Sequence, residues 1–289
     1  MTVNNFIPAV WSAKLFESLN KAHVYAALCN RDYEGEIKAV GDTVKINSIG
    51  RVTISPYSKN TSLGTPQFLT DAQATLQIDT ANSFNFAVDD IDMVQTKPKV
   101  MEGAMRDAAW GLSDAVDVLL AGLHTQTPAA NKVGSDASVK VGGSLTAGAA
   151  LYDLLVDLAV ILDSTNTPRT GRWVVVPPWA HGMLTKDNRF INATEQGNQI
   201  RADGIVGRAA GFDVWMSNNV TYTGSGSTAS WRVMAGYPGT ITYAEQIVKT
   251  EAYRPEDYFA DAVKGLHVCG YKVIRTENLA TLYVKSAAS

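Results

Sequence analysis

From about Glu36 to Thr125 the chain reads as a long two-stranded ribbon with a polar tip, running straight into one long amphipathic helix. Neither element can bury its apolar side against the other alone. The ribbon arms are Gly41-Asp42-Thr43-Val44-Lys45-Ile46 and Ala74-Thr75-Leu76-Gln77-Ile78-Asp79, alternating apolar and polar as half-covered strands do. Ser83 to Val88 continues the alternation. Between the arms, Ser55 to Asp71 holds Pro56, Gly64, Pro66 and several Ser, Thr and Asn, which is turn chemistry. A hairpin that projects from its domain is marginal in water, because two strands leave a whole face uncovered. The ribbon is therefore expected to serve as an arm for a neighbour.

With 289 residues, the chain has ample length for a core, as one large domain or two small ones. A hydrophobic share of 46% against 18% charged excludes extensive disorder. The formal net charge of -3 and a pI near 5.8 give no global footprint for nucleic acid, which argues against a dedicated DNA or RNA reader. Cys29 and Cys269 stand far apart without CxxC or Cys/His spacing, and are expected to be free buried thiols. Met1 to Val10 lacks the basic start and apolar run of a secretory signal, so the chain reads as made in the cytoplasm.

Trp11, Leu15, Leu19, Ala22 and Ala26 recur at helical spacing after Pro8, an amphipathic arm. Thr96-Lys97-Pro98 opens the long helix, whose stripe is Met101, Met105, Ala108, Leu112, Val116, Leu119 and Leu123. Asn131 to Gly148 is small and polar and reads as a boundary. Ala149 to Asp163 forms a second helix with Leu151, Leu154, Leu155, Leu158, Ile161 and Leu162 on a broad face. Arg172 to Val176 is a buried-type strand stopped by Pro177-Pro178, with a third helix near Trp179 to Lys186. Gly207 to Met216 reads as a turn entering another buried strand, and further strands are expected at Trp231 to Ala235, Thr240 to Ala244, Gly265 to Arg275 and Leu279 to Lys285. This interrupted order favours α+β over a doubly wound sheet, and no fixed-period repeat is present.

The chemistry-bearing motifs are sparse. Asp89-Asp90-Ile91-Asp92 is the sharpest acidic cluster, but it lacks the spacing and glycine of a calcium loop and reads as a strand end with solvated carboxylates. His23, His124, His181 and His267 fall in four separate segments with no HxxxH pair. Gly142-Gly143-Ser144 leads into a helix but lacks the lysine of a phosphate loop. No GxSxG elbow is present. The aromatic run Trp173 to Trp179 is core packing before it is a pocket, and Arg51, Lys59, Arg201 and Arg208 are scattered cations. No catalytic, cofactor-binding or metal residue is assigned, and the chain is not expected to be an enzyme.

Taken in order, several strings resemble a tailed-bacteriophage major capsid (coat) protein of the Hong Kong 97 type. They are Phe6-Ile7-Pro8-Ala9-Val10-Trp11-Ser12, Gly41 to Ile46, the Pro98 helix, Trp173-Val174-Val175-Val176-Pro177-Pro178, Asp187-Asn188-Arg189-Phe190 and Val206-Gly207-Arg208-Ala209-Ala210-Gly211-Phe212-Asp213-Val214. The resemblance spans nearly the whole chain. It implies an α+β Hong Kong 97-like capsid fold: residues 1–35 as N-terminal arm, 36–95 as extended loop and start of a peripheral domain, 96–130 as spine helix, 131–235 as axial domain and 236–289 as return strands of the peripheral domain. It further implies hexamers and pentamers of one chain tiling an icosahedral shell around double-stranded DNA, with no sequence-specific DNA binding and no membrane contact. A separate scaffolding protein, a portal and a decoration protein are the expected partners, and the virion capsid the location. Contacts between subunits are expected at Phe6, Trp11, Arg51, Tyr57, Lys59 and Phe68. Some relatives join an extended-loop lysine to an asparagine of another subunit, and Lys59 and Asn278 lie in the matching regions. The competing readings are a cargo-holding nanocompartment shell of the same fold and a soluble α+β enzyme whose residues converge only in three dimensions.

Overall fold

The computed structural model describes residues 24–32, 43–49, 54, 56, 58–60, 71–89, 99–142, 151–186, 207–226 and 229–286. The ribbon is formed by β1 (Thr43–Ile49) and β2 (Asp71–Gln77), antiparallel from Thr43 opposite Gln77 to Ile49 opposite Asp71. Its alternation places Val44, Ile46, Leu76 and Ile78 on one side, where they are buried against Ala244 and Val268. The strand that follows, β3 (Thr80–Asp89), does not extend the ribbon. It pairs with β12 (Ala260–Val273), which pairs in turn with β11 (Ile241–Tyr253), as a separate three-stranded sheet.

The long helix α2 (Lys99–Ala121) packs on this sheet, with Met105, Ala109 and Leu112 meeting Val263, Phe84 and Phe86. Its expected start at Thr96 to Pro98 lies outside the described residues. It ends in a 3-10 turn, Gly122–Gln126, where His124 Nδ1 meets the Ala121 carbonyl at 3.1 Å and satisfies one of the helix's free acceptors. The buried face runs through Ala109 and Leu120, with Ala108 and Leu119 only partly covered. A short helix, α1 (Tyr25–Leu28), lies against α2 and is the described end of the expected N-terminal arm.

Beyond the ribbon and the three-stranded sheet, the described residues form an eight-stranded sheet. It includes β4 (Lys132–Val133), β5 (Lys140–Gly142), β6 (Trp173–Val176), β7 (Arg208–Ala209), β8 (Phe212–Met216), β9 (Tyr222–Thr223), β10 (Ser230–Gly236) and β13 (Ala280–Ser286). Its main path is β4-β13-β10-β6-β8-β7, with β5 on β13 and β9 on β10. One face carries Val174, Val176, Val233, Ala235, Leu282 and Val284 against α3 (Leu151–Ser164) and α4 (Pro178–Lys186). The other carries Trp173, Val175 and Met234 against α1, the end of α2, the start of β11 at Ile241 and Tyr243, and the end of β12 at Cys269 and Val273. That shared second cluster ties the two sheets into one body. Proline at the first position of α4 suits a helix start, where no N–H is needed.

Three expectations are corrected. The Asn131 to Gly148 boundary contains β4 and β5, both parallel to β13; at two and three residues they are too short to show periodicity. The 236–289 segment does not pair as one set of return strands. β11 and β12 join β3, whereas β13 lies between β10 and β4. Ala280 to Val284 is buried without alternation, the burial of a strand covered on both faces. β11 and β12 are also longer than expected, 13 and 14 residues. A register shift between Ile247 and Lys249 breaks the alternation by which the outer half of β11 would have been read.

Candidate assembly surface

The foot of the ribbon is seated by a close approach that only glycine permits. A Cβ on Gly270 of β12 would lie 2.7 Å from the Gln77 carbonyl oxygen and 2.9 Å from Ile78 Cγ1. Beside it, Lys272 Nζ donates to the Thr75 carbonyl at 2.7 Å. Burying Val44, Ile46, Leu76 and Ile78 contributes on the order of 1.5–3 kcal/mol per side chain. The foot is thus fixed to the body, while the outward end is in water: Ile54 is 93% exposed, and Lys59 and Asn60 form an exposed turn with Asn60 at φ 67°.

Other large apolar side chains stand in water on separate elements. Trp110 is 64% and Val118 52% exposed on the outer side of α2, and Tyr258 and Phe259 are 73% and 82% exposed at the turn joining β11 to β12. Val156 and Val160, four residues apart on α3, and Trp215, Met216 and Tyr222 are exposed as well. Single exposed apolar residues are ordinary, but large ones spread over several faces suit a molecule that meets several neighbours.

The interior offers structural polar networks. Arg172 is buried and donates to the carbonyls of Thr167 at 2.5 Å, Pro168 at 2.8 Å and Ala159 at 3.4 Å, bracing the turn after α3 against the helix, while Asp163 pairs with it at 2.8 Å. Arg232 is held by the Ser230 carbonyl at 2.5 Å, Thr223 Oγ1 at 2.7 Å and Asp136. Cys29 and Cys269 are both buried and free; burial pushes both thiols up, Cys269 to about 12. Among the described residues, no three His, Cys, Asp or Glu side chains gather where a metal could sit, and no helix is long and apolar enough to cross a membrane. His124, His181 and His267 remain on separate elements, and His23, like Asp90, Ile91 and Asp92, lies outside the described residues. Gly142 ends β5 opposite Ser286 of β13, and the rest of its Gly-Gly-Ser string lies outside them. Arg208 pairs with Asp213 at 2.7 Å.

Of the residues expected at subunit contacts, Lys59 is exposed at the ribbon turn; Phe6, Trp11, Arg51, Tyr57 and Phe68 lie outside the described residues. Asn278 is buried, its side-chain oxygen accepting from Thr167 Oγ1 at 3.1 Å, so its amide is committed inside the subunit rather than offered to a neighbour's lysine. Sequence reasoning passed over Trp110, Val118, Tyr258 and Phe259. The first two carried a signal, since they are large apolar residues off the stripe of α2.

A fixed foot, an exposed ribbon turn and bulky apolar groups on several faces suit a structural subunit that meets several neighbours. The sequence model of the family described as phage capsid protein matches residues 72–282, and the chain belongs to that family. A search of curated proteins finds no match. Among solved structures, a chain of Mycobacterium phage Che8 is 26% identical with a TM-score of 0.68, the match covering 90% of each chain. The capsid of cyanophage P-SCSP1u, at 18% identity, shares the fold with a TM-score of 0.68, over 88% of this chain and 85% of that one. The SrpI encapsulin of Synechococcus elongatus PCC 7942 shares it more distantly, at 10% identity and a TM-score of 0.56, over 86% and 84%. The fold is the α+β capsid fold of the Hong Kong 97 type, and the chain is a shell-forming major capsid protein of the virion.

Proposed function

We propose that this chain tiles an icosahedral phage head as hexamers and pentamers, with its ribbon laid on an adjacent subunit, and that the shell encloses double-stranded DNA without sequence-specific binding. The observation that carries the reading is the ribbon itself: its foot is buried and its outer turn, with Ile54, is in water. Two strands alone do not hold a projecting shape, so a neighbour's surface completes the fold. Each interface can be modest, because a closed shell repeats it by symmetry. Phe6, Trp11, Arg51, Tyr57, Lys59 and Phe68 contribute to those contacts in this proposal. A net charge of -3 suits a container that does not grip phosphate, since strong phosphate contact would oppose packing and release of the DNA.

The division into arm (1–35), extended loop (36–95), spine helix (96–130), axial domain (131–235) and peripheral return (236–289) belongs to the same proposal, with β13 assigned to the axial sheet it pairs in. A scaffolding protein, a portal and a decoration protein are its partners, and the role is structural rather than enzymatic. The family match and the Che8 likeness favour the phage head over the cargo compartment. Deleting residues 56–71 tests the reading. The subunit is expected to keep its fold, seen by circular dichroism and a cooperative melt, while particle formation is lost; normal particles from the deletion would overturn the ribbon's role.

A further inference from the structure

The eight-stranded sheet presents apolar patches on both of its sides. α3 lies on the side of Val174 and Val176 and turns Leu154, Leu155, Leu158 and Leu162 inward. The helical period then places Val156, Asp157 and Val160 outward, and all three are exposed, Val160 by 59%. On the other side, β8 runs in parallel register with β6, Asp213 beside Trp173 and Trp215 beside Val175. Residues paired across a ladder share a face, so Asp213 and Trp215 lie on the side of Trp173 and Val175. Arg208, opposite Asp213 on β7, lies there too and pairs with it at 2.7 Å. Trp173 and Val175 are buried in the cluster on that side, whereas Trp215 is 43% and the Arg208 side chain 68% exposed.

On the shell reading proposed for this chain, we infer that the two patches are the halves of one head-to-tail contact. Trp215 and Arg208 of one copy dock on Val156, Asp157 and Val160 of the next, and the contact repeats round the axis of a ring. A ring needs two different surfaces on each copy, and the two sides of one sheet supply them facing opposite ways. The charges are complementary. α3 holds three aspartates and no Lys or Arg, so its outer side calls for a cationic partner and repels phosphate. Arg208 engages Asp213 through Nε, and its terminal N–H groups are there to meet Asp157.

Tryptophan and arginine are the side chains most used as interface anchors, and two valines one helical turn apart offer an apolar seat. Tyr258 and Phe259 are as exposed, but Glu256 and Asp257 precede them, the wrong charge for α3. Docking α3 on its own copy about a two-fold axis would set Asp157 against Asp157 across the valines. The contact is therefore assigned to unlike faces.

Two variants of the full chain, Val160→Cys and Trp215→Cys, read the pairing. Cys29 and Cys269 are buried, and burial holds their thiols protonated, so a short bis-maleimide reaches the new cysteines. Mixed before assembly, the two variants are expected to give covalent dimers, and either variant alone should give none. Dimers from one variant alone, or none from the mixture once electron microscopy shows particles, overturn the proposal. If the cysteine variants fold but do not assemble, charge exchange decides. Asp157→Arg and Arg208→Glu should each raise the concentration needed for assembly by about tenfold or more, and an equal mixture of the two should recover, because each altered face then meets its complement. Assembly of either variant at the wild-type concentration, or a mixture that does not recover, overturns the pairing. Wild-type particles alongside those failures leave the shell reading standing; a wild-type chain that never assembles refutes that reading and this pairing with it.

Discussion

At the scale of single residues, two positions connect chemistry to the shape of the subunit. Gly270→Ala would place a methyl group 2.7 Å from a backbone oxygen of the ribbon, and the foot would have to shift. We expect a loss of about 1–3 kcal/mol in urea denaturation, with exchange protection falling in β1 and β2 and unchanged in β10 and β13. Asp117 sets a pH dependence. Its carboxyl is raised from 3.8 to about 6 by burial, against the backbone N–H bonds from Tyr25 and Val24 that lower it. The folded state therefore holds the proton more tightly than the unfolded chain, and the stability this group contributes is complete below about pH 4 and lost as pH rises through about 6. Asp117→Asn should remove that component, of at most about 1.4 kcal/mol per pH unit, from denaturation curves taken between about pH 4 and 6.5. An unchanged slope would assign the dependence to other groups. Neither role was legible in the sequence, because Gly270 sits in an ordinary strand and Asp117 in an ordinary helix; each is defined by a partner distant along the chain.

At the scale of elements, what local pattern encodes was readable and what pairing encodes was not. The ribbon arms, the buried run Trp173 to Val176 and the leucine face of α3 follow from periodicity alone, and the structure has them there. For α2 the period was legible but the centre of the face was not, since Ser113 and Asp117 are also buried and turn the helix toward Ala109 and Leu120. The outer side of that helix supports a prediction. Gly103 and Gly111 face open space, with nothing within 4 Å of where a Cβ would stand. Glycine in a helix interior is unfavourable by roughly 0.5–1 kcal/mol relative to alanine, so Gly103→Ala and Gly111→Ala should each stabilise the isolated subunit by about that much in urea. A destabilised subunit would show that the helix backbone is not regular there.

At the scale of the molecule, the order of motifs pointed to the capsid class, whereas the division of strands between the two sheets did not emerge from it. β13 follows β12 directly in the chain yet joins the other sheet, and β4 and β5 form only because β13 is there to receive them. Such contacts link residues more than a hundred positions apart, where composition and spacing carry no signal. The fixed foot of the ribbon, its outer turn in water and the scattered bulky apolar groups make the isolated subunit an incomplete object. Electron microscopy of the purified full chain, paired with light scattering for mass across a range of concentrations, tests this most directly. Closed shells, capsomer rings or sheets that grow with concentration are the expected result. A chain that stays a monomer at every concentration, with and without a co-expressed scaffolding protein, would contradict the account.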